Sequence, residues 1–433
     1  MKQLRKTVVA ALALVCAVTA NAETWTLEKC IDYALTNNLT VRSRALDVRN
    51  AELDVTAAKD AFLPEVGLSA SQSFNLGRGL TSENTYADRN TSNFQWGANL
   101  SVPLFQGLGN VRRLDYAKAS LLAVVEEFEA AKEDVTLNVI AQYLQVLYCN
   151  EVYKVALEQI ELSDYELKRQ QALLEAGKVP EIDMLNARSQ LAQDELSATT
   201  AKNDYTLALV DLAQLLRLDD IEGFEVASLD DDNVLMRSAD EVFANAKLNN
   251  SSVNAGRLRI AAADKNIRVA KSGYMPRLSF TAGIGSSYYT VSGFDNDKFG
   301  HQMKNNFSTY FGFNLSIPVF DAFSTRNNVR RARVSRLSAE LQYETACDNL
   351  YKAVQQAYYS ALGAAKRLES STVAEDATEK TFAATREKYN LGRATPTDYE
   401  TAKNNYLRAV SDRVRAKYEY MLRTRILDFY NSH

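Results

Sequence analysis

The six prolines of this chain fall into three matched pairs, and that placement constrains the fold more than any other feature. Pro64 answers Pro276, Pro103 answers Pro318 and Pro180 answers Pro396, at separations of 212, 215 and 216 residues. The flanks agree. Ala58-Lys59 before Leu63-Pro64 parallels Ala270-Lys271 before Met275-Pro276, and Asn37-Asn38 parallels Asn249-Asn250. Ser101-Val102-Pro103-Leu104-Phe105 parallels Ser316-Ile317-Pro318-Val319-Phe320, and Gly177 parallels Gly392. Self-similarity at a fixed offset marks an internal repeat. The chain divides into a first repeat at 23–220, a linker at 221–234 and a second repeat at 235–433.

Glycine is placed as unevenly as proline. Six glycines lie between Phe62 and Gly109 and six between Gly273 and Gly312, and the same windows hold the strand signals. Val66, Leu68, Ala70 and Phe74 alternate with Gly67, Ser69, Ser71 and Ser73, while Phe94, Trp96, Ala98, Leu100 and Val102 alternate with small polar residues. Leu278, Phe280, Ala282 and Ile284 repeat the pattern, as do Phe311, Phe313, Leu315 and Ile317. Period two with one apolar and one small polar face predicts strands at about 64–104 and 276–319. Each alternating segment within these windows is near the ten or so residues of a tilted membrane strand. An ordinary half-buried pair of hairpins would show the same alternation.

The remainder reads as helix. No proline or glycine falls between about Asn110 and Ala176, where Leu114, Leu121, Phe128 and Val135 recur every seven residues. The stretch at about 326–391 carries Val329, Tyr343 and Leu350 with Ala332, Ala339 and Ala346. Beyond the glycine turns, Met184, Leu191, Ala198, Tyr205 and Leu212 keep the step, as do Tyr399, Tyr406, Tyr420 and Leu427. Alanines at such a seam permit close helix approach. A helix of this extent would be roughly 100 Å long, well beyond globular lengths. Shorter helices are expected near Thr26 and at the capping box Ser238–Glu241.

The amino terminus has the form of an export signal. Lys2, Arg5 and Lys6 precede an apolar run from Thr7 to Val18, and Ala20-Asn21-Ala22 supplies small-x-small cleavage residues, so 1–22 is expected to be removed. No other segment is apolar over the length a membrane helix needs. A formal net charge of −4 and two histidines disfavour nucleic-acid binding and a histidine metal site. Cys16 lies in the leader, and Cys30, Cys149 and Cys347 have no spacing that suggests a disulfide framework. His301 is expected in a surface loop between strands, and His433 is terminal. No nucleophile elbow or phosphate loop appears, so neither an enzymatic activity nor a cofactor is expected.

Four strands of membrane length cannot close a barrel, and an open edge in lipid leaves backbone groups unpaired. Strands placed in a membrane would therefore have to share a barrel between chains, eight strands from two copies or twelve from three. Phe94, Trp96, Phe311 and Phe313 would then meet outer membrane lipid, with Asn99 and Asn314 toward a water-filled interior. The long helices would continue the pore as a helical tube.

Trp25-Thr26-Leu27-Glu28-Lys29-Cys30-Ile31, Ala34-Leu35, Asn37-Asn38, the two Ser-x-Pro-x-Phe strand exits and the Gly-to-Asp turns at 177–183 and 392–398 together resemble the TolC-like outer membrane efflux proteins. The resemblance covers nearly all of the chain after the leader. It implies a mostly α fold with β-hairpins: a two-repeat protomer of a trimeric outer-membrane β-barrel continued by a long periplasmic α-helical barrel. It further implies a homotrimer docked, through a periplasmic adaptor protein, to an inner-membrane transporter of RND or ABC type.

Asp183 and Asp398 each lie six residues after the turn glycine of their repeat. In three copies they would supply six carboxylates near one constriction, a ring that attracts cations. The resemblance implies a pore aperture at Asp398, with the family's second aperture aspartate replaced by Thr401. It implies a gating link in which Tyr389 joins neighbouring helices with Asp183 as its acidic partner, while the family's basic linking residue falls at Ala394 beside Arg393. The plainer alternative makes both aspartates first-turn helix residues favoured by the helix dipole. For the whole chain, the alternative function is an exported coiled-coil structural or periplasmic adaptor protein without a pore.

Overall fold

The computed structural model describes residues 24–80, 84–220, 223–229 and 237–432. The expected leader 1–22, part of the linker and His433 lie outside the described residues. The first half runs α1 (Leu27–Asn37), α2 (Leu39–Asp60), β1 (Glu65–Asn75), β2 (Arg78–Leu80), β3 (Tyr86–Asp88), β4 (Thr91–Gln106), α3 (Gly109–Glu175) and α4 (Glu181–Leu216). The second runs α5 (Ala239–Asn249), α6 (Ser251–Lys271), β5 (Arg277–Val291), α7 (Phe299–Asn305), β6 (Ser308–Ser316), α8 (Ser324–Asn390) and α9 (Pro396–Ser432). The helices of the two halves match in length: α3 and α8 both have 67 residues, and α4 and α9 have 36 and 37.

Two compact units can be distinguished, and neither is a repeat. One comprises the chain up to Leu46 with Glu127–Asn254 and Thr345–His433; the other comprises Asp47–Glu126 and Ala255–Glu344. Each draws matched segments from both repeats.

The sheet belongs to the second unit. Its order is β1-β4-β5-β6, antiparallel throughout, with the two repeats joined where β4 pairs with β5. The register aligns the apolar sets of all four strands. Leu68 faces Ala98, Ala98 faces Ile284, Ala282 faces Phe311 and Phe280 faces Phe313. Because cross-strand partners share a face, the alternation of each strand becomes one apolar surface that gives way to Gln72, Ser92, Ser286 and Thr290 at its far end. Phe311 is 77% and Leu68 78% exposed. Pro103 sits beyond the last β1 partner and beside a bulge before Phe105, the kind of place in a sheet that tolerates a residue without an N–H. On the polar face, Tyr310 donates its hydroxyl to Asn99 Oδ1 (2.8 Å) by passing over Gly283. A Cβ at Gly283 would lie 2.6 Å from the Tyr310 ring, so only glycine leaves the path open.

Two expectations need adjustment here. Phe94 does not stand clear on the apolar face: Phe299 of α7 packs against it and against Tyr288, with ring centres 6.0 and 5.0 Å apart. His301 lies on α7 rather than in a loop, 3.2 Å from Asp297.

The first unit holds the main core. Leu27, Cys30 and Ala34 of α1 pack with Val135, Val139 and Tyr143 of α3 and Leu212 and Leu216 of α4. Burial pushes the Cys30 thiol up to about 12, so it behaves as a core residue. Tyr143 donates to the carbonyls of Trp25 (2.9 Å) and Ala227 (2.6 Å), fixing the short parallel bridge between Trp25 and Val226. Each asparagine pair breaks a helix: Asn38 caps α1 and donates to Leu215 O (3.0 Å), and Asn250 caps α5 and donates to Glu133 (3.1 Å).

Candidate functional site at the helix tips

Both long hairpins turn through a glycine in the left-handed region, φ +67° at Gly177 and +70° at Gly392. Each ends its helix by returning two amide N–H groups to the previous turn, Gly177 to Leu174 O and Lys178 to Leu173 O, then Gly392 to Tyr389 O and Arg393 to Lys388 O. This is the Schellman arrangement, in which a Cβ would strain the backbone.

The two matched aspartates then diverge. Asp398 closes a capping box with Thr395. Its Oδ2 accepts from the Thr395 hydroxyl (2.7 Å) and amide (3.0 Å), and its own amide donates to Thr395 Oγ1 (3.2 Å). These bonds, the hydroxyl first, hold its carboxyl below the usual aspartate range. Asp183 sits in the first turn of α4 after Pro180, which offers no side-chain cap. Its carboxylate lines a pocket of about 300 Å³ shared with Tyr389, Glu166 and Tyr399.

The expected Tyr389–Asp183 link is not made. The Tyr389 hydroxyl instead donates to Glu166 Oε1 of α3 (2.7 Å) and accepts from Gln170 Nε2 (2.6 Å), which also donates to Glu166 (2.6 Å). Arg169 lies 4.0 Å over the Tyr389 ring, donates to the Tyr389 carbonyl (3.2 Å) and stands 3.5 Å from the other Glu166 oxygen. Tyr399 of α9 stacks on the opposite side, ring centres 4.8 Å apart, and Phe382 follows. Burial is the main cause raising both phenols, with the Glu166 charge adding to it, and Tyr399 is pushed up to about 12. Glu166 outcompetes Asp183 because it sits on the buried seam of α3, facing α8, whereas Asp183 lies past the turn.

A second polar layer lies further from the turns. Lys403 of α9 is 0% exposed; its ammonium donates to Ser163 Oγ (3.2 Å) and lies 2.8 Å from Glu400. Ser163 in turn donates to Asp194 of α4, which also accepts from Gln159 (2.6 Å) and Gln190 (3.0 Å). A charged pair is thus bridged by one hydroxyl, and three helices meet at one level. Sequence reasoning overlooked these groups. The usable signal was the seven-residue step of α3, which runs through buried Cys149 and Ala156 and then continues into Ser163 and Gln170.

Among the described residues no helix is long and apolar enough to cross a membrane, and no group of three or more His, Cys, Asp and Glu side chains could hold a metal. The tip offers carboxylates, a buried tyrosine hydrogen-bonded to Glu166 and helix ends.

Comparison with known proteins agrees with the geometry. The family model described as "Outer membrane efflux protein" matches twice, at residues 30–216 and 242–427, once in each half of the chain. The chain is 22% identical over 411 residues to the outer membrane protein TolC of Escherichia coli K12, covering 89% of this chain and 78% of that protein. It is 20% identical to the outer membrane efflux protein BepC of Brucella suis, covering 92% and 83%. The solved Campylobacter jejuni CmeC outer membrane channel shares the fold, with a TM-score of 0.77, 19% identity and coverage of 94% and 85%. The chain belongs to the outer membrane efflux protein family.

Proposed function

We propose that three copies of this chain close a twelve-stranded barrel in the outer membrane and that the helix tips gate the periplasmic entrance. As a family member, the chain is the outer-membrane channel component of an efflux system, with a large periplasmic portion. The carrying observation is the four-stranded sheet, apolar on one face from Val66, Val102, Leu278 and Leu315 as far as Ala70, Trp96, Ile284 and Phe311, with two unpaired edges, β1 and β6. Backbone groups along those edges need partners in lipid, and another copy supplies them. The trimer would receive substrate from an inner-membrane transporter through a periplasmic adaptor, with no catalytic step of its own.

At the tip, Asp398 and Asp183 from each copy supply the carboxylates of the aperture, and the Tyr389–Glu166 bond holds the tip closed. Two properties favour Asp398. Its lowered pKa keeps it ionised, and its capping role fixes its position at the helix start. Mass measurement of detergent-extracted protein tests the assembly. Three copies are expected, together with retention in outer membranes after salt and alkali washing. A stable monomer would remove the shared barrel, and release by washing would favour the pore-free adaptor reading.

A further inference from the structure

Where the sheet gives way to helices, five cationic side chains converge. Arg112 of α3, Lys271 of α6 and Arg326, Arg330 and Arg333 of α8 line a pocket of about 520 Å³. Arg112 donates to the Arg268 carbonyl (3.1 Å), and Arg326 lies 5.4 Å over the Phe323 ring. Among the described residues none of the five has a carboxylate partner. The same helix does pair its arginines where acids are in reach: Arg336 meets Asp264 (2.6 Å) and Glu340 (2.8 Å). Five like charges around one space call for an anion, and arginine forks match phosphate oxygens two at a time.

The surroundings indicate which anion. Lys271 and Arg112 each lie six residues from the end of a strand, β5 and β4 respectively. The apolar register of β6, Phe311, Phe313 and Leu315, continues into exposed Ile317 and Val319. Exposed Phe320 then meets Phe323 edge-on at 5.4 Å, and Arg326 stacks on Phe323. The chain from β6 to the start of α8 therefore carries exposed apolar residues at Ile317, Val319, Phe320 and Phe323, and the lining of the cationic pocket also includes exposed Tyr274. Arginine beside aromatic rings at the end of an apolar span is the chemistry of a membrane–water boundary.

We propose that this pocket binds the phosphate of an anionic glycerophospholipid whose acyl chains lie along the apolar face of the sheet. The inference rests on the outer-membrane reading of that face. A lipid here would be held by charge at its head and by burial along its tails, and would anchor the height of the sheet in the bilayer.

The test is native mass spectrometry of detergent-extracted, delipidated protein titrated with phosphatidylglycerol, phosphatidylethanolamine or inorganic phosphate. The parent should bind phosphatidylglycerol at least tenfold more tightly than phosphatidylethanolamine. Arg326→Gln/Arg330→Gln should lose that preference by about tenfold while keeping its mass as an assembly, and Arg330→Lys should fall between the two. Equal lipid binding by parent and double variant would overturn the pocket. So would inorganic phosphate competing at the same concentration as the lipid, which would make this a free-anion site. Dissociation of the double variant into single chains with lipid binding unchanged would assign the arginines to a neighbouring copy instead. Membrane retention of the parent is measured separately: release by alkali would overturn the outer-membrane reading and the lipid with it, whereas retention with unselective lipid binding would overturn the pocket alone.

Discussion

Removing the Tyr389 hydroxyl isolates one contact of the proposed gate. Tyr389→Phe keeps the ring, and with it the stacking on Tyr399 at 4.8 Å and the Arg169 contact at 4.0 Å. It deletes the 2.7 Å bond to Glu166 and the 2.6 Å bond from Gln170. A neutral hydrogen bond contributes about 1 kcal/mol net, but one to a charged group contributes about 1.5–3 kcal/mol. Glu166 is only 5% exposed, so the upper part of that range applies. Gln170 and Arg169 still reach the carboxylate, which limits the loss. The result is a shift of about tenfold to hundredfold per chain toward an open tip. In planar bilayers, open probability or conductance should rise, and amide exchange around residues 163–183 and 385–400 should quicken by a similar factor. The melting of the assembled barrel should stay constant, since sheet contacts are untouched. Glu166→Gln retains an acceptor and should show a smaller effect. Parent-like conductance and exchange in Tyr389→Phe would refute the latch, leaving the contact as packing alone.

Asp398→Asn should weaken cation preference and divalent-cation block. Because the Thr395 hydrogen bonds hold the Asp398 carboxyl below its ordinary 3.8, its charge and any stability it gives are lost only as pH falls below that value, so the difference in selectivity between parent and Asp398→Asn should persist down to that pH; its loss well above would point to another group. Lys403→Met should cost about 1–3 kcal/mol in urea unfolding, because the buried Ser163 oxygen loses its donor and Glu400 its 2.8 Å partner, and adding Ser163→Ala should cost less than the two changes summed; strict additivity would show that the layer is not coupled. Gly283→Val places a Cβ against Tyr310 and Asn99, so heat resistance of the assembly should fall, and an unchanged melting temperature would show that the crossing is dispensable.

The sequence showed the large elements because each has its own period. Two-residue alternation located β1, β4, β5 and β6, and the seven-residue step with paired glycines located both 67-residue helices and their turns. Asn38 and Asn250 were visible as a matched pair because a cap is a local structure. The partner of Tyr389 was not legible. Glu166 lies 223 residues away, and its choice over Asp183 depends on which face of α3 turns inward. Lys403 was hidden for a related reason: a lysine between tyrosines reads as a solvated face until Ser163 and Asp194 are seen beside it. The β4–β5 pairing could not be derived either, since each repeat accounts for its own hairpin and nothing local joins them. Phe94 illustrates the limit of alternation, which gives a face but not the neighbour that covers it.

The two unpaired edges of the sheet have a genetic consequence. In the proposed three-copy barrel β1 of one copy would pair with β6 of the next, so each copy would be joined through two unlike surfaces. A copy with a spoiled β1 edge still presents a sound β6 edge. It can enter a growing ring and then prevent closure. Alleles of that kind should be dominant: with equal amounts of both chains joining at random in threes, only roughly an eighth of rings would be free of the defective copy. Alleles that damage only a helix tip should behave otherwise, since rings containing them still close, insert and conduct.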